Sequence, residues 1–109
     1  YGGALHGLGG ALYEELAYDE HGQFLTGTFM DYLVPTASEA PEIDIAHIVS
    51  PSPLTPLGSK GLGESSSMTV PAVIANAVSD ALAPLGIKIN ELPMTPSKLW
   101  ALIRKARES

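Results

Sequence analysis

Residues 58–67, Gly-Ser-Lys-Gly-Leu-Gly-Glu-Ser-Ser-Ser, gather the groups best suited to chemistry in this chain: a lysine, three glycines, a carboxylate and a run of hydroxyls. Phosphate cradling is the first possibility. A P-loop needs GxxxxGK[ST], with lysine after the second glycine. Here Lys60 precedes Gly61, so that pattern fails. A dinucleotide fingerprint needs a third glycine three residues after the second. Position 66 is serine, and the Gly7-Leu8-Gly9 stretch fails in the same way at Leu12. What remains is Glu64, set in glycine-loosened backbone just before a helical pattern. Two roles are open to it. A carboxylate at a helix N-terminus caps the helix or answers its dipole. A carboxylate in a closed site acts as a general base, with burial raising its proton affinity and the helix terminus lowering it.

Other reactive types are sparse. The chain has no cysteine, which excludes disulfides, thiolate zinc and iron–sulfur ligation from these residues. His6, His21 and His47 lack the spacing of a metal motif, and none is assigned as a ligand. His47 reads as a sheet residue.

The elements that would hold the 58–67 segment follow from periodicity. Residues 3–16 read as a helix, with Leu5, Leu8, Leu12 and Leu16 on one stripe and Gly3, Gly7 and Gly10 opposite. A glycine face costs helix stability, so something must press close to it: another helix, or a ligand. Residues 17–34 look like a hairpin turning at Asp19-Glu20-His21-Gly22. Residues 42–50 alternate around Ile43 and Ile45 and give the clearest strand. Residues 51–67 are irregular. A helix over 69–83 follows, with Pro71 in its first turn, stopped by Pro84-Leu85-Gly86. Ile87-Lys88-Ile89 predicts a short strand, and Thr95-Pro96 caps a last helix. The expected class is α+β: a mixed sheet with about three helices, in the order α-β-β-β-α-β-α.

The chain has 109 residues, enough for one small domain with a modest core. With 45% hydrophobic and 17% charged residues it is too apolar for a disordered tail. Its apolar runs fall short of the roughly 20 residues of a membrane span, and no signal peptide is visible at Tyr1-Gly2-Gly3. Without an initiator methionine, the chain is expected to be a fragment or processed product. The net charge is −6, and residues 1–59 hold eight acids without one lysine or arginine. That half argues against nucleic-acid binding. Lys98, Arg104, Lys105 and Arg107 crowd the last helix, where cations suit the C-terminal dipole.

Four stretches carry a resemblance, in order: GGALHGLGGALYEELAYDEHGQFLTG, DYLVPTASEAPEI, GSKGLGESSSMTVPAVIANAVSDAL and, more weakly, the closing helix. Together they cover about three-quarters of the chain. They resemble the C-terminal part of the molybdenum-binding (large) subunit of the xanthine dehydrogenase, aldehyde oxidase and aerobic carbon monoxide dehydrogenase family. Gly-x-Gly-Glu alone is a weak signal; the ordered set is specific. The resemblance implies that residues 1–109 are the C-terminal part of a molybdopterin-binding domain in a larger catalytic subunit. It implies a molybdenum hydroxylase that oxidises an aldehyde, an N-heterocycle or carbon monoxide with water-derived oxygen. Glu64 falls on the family's base, which takes the proton from a molybdenum-bound hydroxide. Lys60, Gly61, Leu62, Gly63 and Ser65 fall beside the cofactor, and no residue here falls on a metal ligand.

The implied cofactor is molybdopterin with molybdenum, the cytosine dinucleotide form being expected. The 2Fe-2S and FAD centres belong to other domains or subunits. Implied partners are the remainder of the molybdenum subunit, the iron–sulfur and flavin subunits and a small-molecule substrate, with no nucleic acid and no membrane, in the cytoplasm. The family's pterin-binding glutamines, its substrate pocket and the copper-binding cysteine loop of carbon monoxide oxidation have no counterpart in these residues. The isolated chain is therefore expected to bind no cofactor stably, to be inactive and to be open to self-association. A noncatalytic assembly or binding domain that keeps the fold is the alternative.

Overall fold

Three α-helices carry the architecture, and a long irregular stretch links the first two. The computed structural model describes residues 1–108. The helices are α1 (Gly2–Leu12), α2 (Ser65–Leu82) and α3 (Pro96–Glu108), with a 3₁₀ turn at Ala83–Leu85. α1 stops earlier than its leucine spacing predicts. Past Leu12 the Tyr13 and Glu14 amides both turn back to the Gly9 carbonyl, and the Ala11 carbonyl is taken by the Met94 amide at 2.8 Å. α2 starts earlier than expected because its hydroxyls serve the helix: Ser67 Oγ donates to the Glu64 carbonyl and Thr69 Oγ1 to the Ser65 carbonyl. Its end is as read, with Gly86 in the left-handed region at φ 69°. α3 begins where Thr95-Pro96 places it, and Thr95 Oγ1 accepts the Lys98 amide.

The mixed sheet expected from the sequence does not form, so the α+β assignment is wrong for this chain. Among the described residues there is no strand, only one isolated antiparallel bridge between Tyr18 and Phe24. The physical reason is pairing. Alternation marks a segment that can lie in a sheet, but a ladder needs a neighbour to satisfy its amides and carbonyls. Residues 42–50 make no backbone hydrogen bond among the described residues, and Ile45, Ile48 and Val49 are exposed. His47 is exposed as well, not seated in a sheet. The hairpin shrinks to a turn, held by Asp19 accepting the His21 and Gln23 amides and by Tyr18 packed against Phe24, their ring centroids 5.3 Å apart and the planes tilted by 47°. Residues 87–89 are tied to a helix instead: the Ile89 amide bonds Ser79 Oγ at 3.0 Å.

Packing concentrates at one contact. A Cβ added at Gly3 would lie 2.0 Å from Ser66 Oγ, and one at Gly7 would lie 2.6 Å from Val70 Cβ and 3.3 Å from Pro71 Cδ. The glycine face of α1 therefore seats α2, the helix-packing alternative of the two. Gly9 does the same against Pro35, at 2.8 Å. Gly10 faces open space. The contact also fixes direction. Gly3 meets residue 66 and Gly7 meets residue 70, so the two helices run parallel with their N-termini side by side.

The hydrophobic core is small: Ala11, Ile87 and Met94. Large apolar side chains such as Phe29, Ile48, Leu54 and Leu57 stand more than 80% exposed. The radius of gyration is 17.8 Å, against about 13 Å for a compact chain of this length. The stretch Ser65–Leu85 is long and apolar enough to cross a membrane by length and composition, with mean hydropathy 1.3. One side of it rests on α1 through Ser66, Val70 and Pro71, and none of its residues is fully buried. The open shape leaves apolar surface for further protein to cover.

Candidate functional site

The segment with chemical potential lies at the shared N-terminal end of α1 and α2. Each helix N-terminus carries roughly half a positive charge, and parallel neighbours place the two together. Neither end is answered by a capping side chain: Tyr1 and Glu64 occupy the cap positions without a side-chain cap bond.

Glu64 holds α2 through its backbone only. Its carbonyl accepts the Met68 amide at 3.2 Å and Ser67 Oγ at 2.9 Å. Its carboxylate has no partner among the described residues and is exposed. The capping role is thus not the one its side chain plays. Upstream, the amides of residues 59–64 find no acceptor among the described residues. The Cβ positions of Gly61 and Gly63 open onto free space. Leu62 is 75% exposed, and its carbonyl receives both the amide and Oγ of Ser65 at 3.3 Å. Lys60 is turned away: its Nζ donates to Ser50 Oγ at 3.0 Å. Glu64, Gly61, Leu62, Gly63 and Ser65 therefore share one open rim, whereas the Lys60 head group braces the loop behind it.

The first 41 residues match the molybdopterin cofactor-binding domain. The large subunit of nicotine 6-hydroxylase from Paenarthrobacter nicotinovorans is 47% identical over 98 residues, which is 90% of this chain and 12% of that protein. The xanthine dehydrogenase molybdenum-binding subunit of Escherichia coli O157:H7 is 37% identical over 101 residues, 92% of this chain and 13% of that one. The crystal structure of quinoline 2-oxidoreductase from Pseudomonas putida 86 superposes with a TM-score of 0.88 at 45% identity, over 95% of this chain and 13% of that chain.

Over nine-tenths or more of its length the chain matches one segment of the molybdenum-binding subunits of the xanthine dehydrogenase family.

It spans about one-eighth of the length of the curated relatives it matches. In quinoline 2-oxidoreductase the matching segment has nearly the same conformation inside a much longer chain. A molybdopterin cofactor carries anionic phosphate, and the rim fits such a group in three respects: unpaired amides over residues 59–64, no side chain at Gly61 or Gly63, and two helix N-termini facing the same way.

A second polar pair, missed from the sequence, fastens the loop below α1. Tyr32 Oη donates to Glu14 Oε2 at 2.9 Å. Eighteen residues separate the two, and nothing in their spacing announces the bond. The hydrogen bond to Glu14, then burial, then the carboxylate's charge hold the Tyr32 phenol above its ordinary value of 10.0. The folded state thus keeps the proton longer than the unfolded one. The bond's stabilisation is complete below pH 10 and is lost as pH rises through the folded-state value. Phenolate absorbance in an alkaline titration, taken as the difference from Tyr32→Phe, should appear at lower pH in Glu14→Gln than in the parent. An unchanged Tyr32 titration would show that Glu14 does not govern it.

Proposed function

We propose that this chain supplies part of the cofactor site of a molybdenum hydroxylase, as the C-terminal part of its molybdopterin-binding domain. The proposed reaction oxidises an aldehyde, an N-heterocycle or carbon monoxide with water-derived oxygen. The observation that carries the reading is the free Glu64 carboxylate on a rim of unpaired amides. When bound, the molybdopterin centre, in its cytosine dinucleotide form, would supply the two-electron redox chemistry.

The chain's own residues do the rest. The amides of Gly61, Leu62 and Gly63 bind anionic oxygen atoms of the cofactor, and the missing side chains at 61 and 63 permit backbone contact. Ser65 and Leu62 close the turn that sets the direction of Glu64. A Glu64 carboxylate oxygen accepts the proton of the water-derived nucleophile, a base that needs no place in the metal's ligand set. Lys60 contributes by holding the loop, not by reaching the cofactor. The remainder of the subunit covers the exposed apolar side chains and excludes water, iron–sulfur and flavin (2Fe-2S, FAD) subunits carry the electrons away, and the assembly works in the cytoplasm.

Metal and pterin analysis of the assembled subunit tests this. Stoichiometric molybdenum with a pterin cytosine dinucleotide is expected in the assembly and none in the bare 109-residue chain. An assembly free of molybdenum, or a bare chain that retains it, would overturn the reading.

A further inference from the structure

Behind the Glu64 rim lies a closed loop whose bonds all converge on one turn. The Ser52 amide donates to the Gly58 carbonyl at 2.9 Å, and the Gly58 amide to the Thr55 carbonyl at 3.0 Å. Thr55 Oγ1 donates to the Ser59 carbonyl at 3.1 Å, and Lys60 Nζ ties the exit of the loop to Ser50. Residues 50 and 60 are thereby held together, and the next four residues carry the chain to Glu64 with no further hydrogen bond from their amides. The rim is therefore held at two ends, by the Ser65–Leu62 turn where α2 begins and, on its upstream side, by the loop's neck.

Gly58 is the pivot, on two separate grounds. Its φ of 68° lies in the left-handed region, and a Cβ built there would stand 2.7 Å from Pro51 Cβ and 3.4 Å from Pro51 Cα. A side chain must therefore both strain the backbone and push the two arms of the loop apart. Thr55 locks the same neck from inside with a single hydroxyl bond, and it is only partly exposed.

We infer that Gly58 and Thr55 are positioning residues for the proposed reaction: they hold the loop neck that presents Gly61, Gly63 and Glu64 in working register. Neither residue belongs to the rim, so their influence acts on the rate of the chemical step and leaves substrate affinity alone. A misplacement of about 1 Å in a reacting group costs on the order of 10²-fold. The inference rests on the assignment of Glu64 as base.

The experiment uses the complete molybdenum enzyme carrying this segment, with kcat, KM and molybdenum content measured for Thr55→Val, Thr55→Ser and Gly58→Ala. Thr55→Val should lower kcat roughly tenfold with KM and molybdenum content unchanged, and Thr55→Ser, which restores the hydroxyl, should recover the parental kcat. Gly58→Ala should fall further, toward 10²-fold. If Gly58→Ala does not assemble, the two threonine variants still decide. Parental kcat in a loaded Thr55→Val enzyme, or a loss that Thr55→Ser does not repair, overturns the inference. Glu64→Gln separates the two failures: if it is inactive while Thr55→Val is unimpaired, the positioning role falls and the base stands. If Glu64→Gln turns over normally, the base assignment falls and this inference falls with it.

Discussion

Glu64→Gln in the cofactor-loaded enzyme should slow the reductive half-reaction by about 10²–10⁴-fold, the usual loss when a general base is removed. The substitution keeps size and hydrogen-bonding ability and deletes only proton acceptance. Folding should be untouched, because the side chain makes no cap bond to α2 and only its carbonyl, which the variant retains, serves the helix. Cofactor loading should be untouched as well, since the carboxylate is not proposed as a metal ligand. A purely electrostatic role opposite the helix N-termini would be worth about 1 kcal/mol of stability and leave the rate intact. The measurement is the rate at which substrate reduces the loaded variant, against that of its parent. A loaded variant reacting at the parental rate refutes the base.

The second large effect is expected at the helix contact. Gly7→Leu forces a branched side chain into a gap where even a Cβ would stand 2.6 Å from Val70 Cβ. Val70 Cβ is attached directly to the α2 backbone and cannot swing aside, so the helices must separate. Overpacking of this kind costs typically 1–3 kcal/mol. Gly10→Ala, one turn on, meets nothing within 4 Å and should instead stabilise α1 by about 0.5–1 kcal/mol. Thermal unfolding followed by circular dichroism should show the midpoints moving in opposite directions. A Gly7→Leu midpoint at or above the parent's would mean that Gly7 does not seat α2.

The helices were legible because their signals are local. Thr95-Pro96, Pro84-Leu85-Gly86 and the apolar spacing from Val70 to Leu82 each act within a turn or two of their own position. The sheet was not legible because strand formation belongs to a pair of segments. Ile43 and Ile45 alternate as a strand would, yet no backbone among the described residues pairs with them. Gly3 and Gly7 announced close packing, but Ser66 and Val70 as the partners could be known only once the helices were placed. For the rim, the sequence could name the stretch from Lys60 to Ser65 but not its unpaired amides. The direction of the Lys60 side chain depends on Ser50, ten residues back, and no spacing rule anticipates that bond.

The parallel seating of α1 on α2 has a consequence for how the chain acquires its shape. The two helices meet across the whole of residues 13–64, which contain no regular element among the described residues beyond one bridge. Closing so long a loop comes before any reward from the Gly7–Val70 contact, so α2 and the 3₁₀ turn that follows it should form first and α1 dock afterwards. The same logic makes the loop tolerant of length. Doubling it would raise the closure entropy by only about 0.6 kcal/mol. Insertions near the exposed residues 45–49 should therefore leave the helix pair in place.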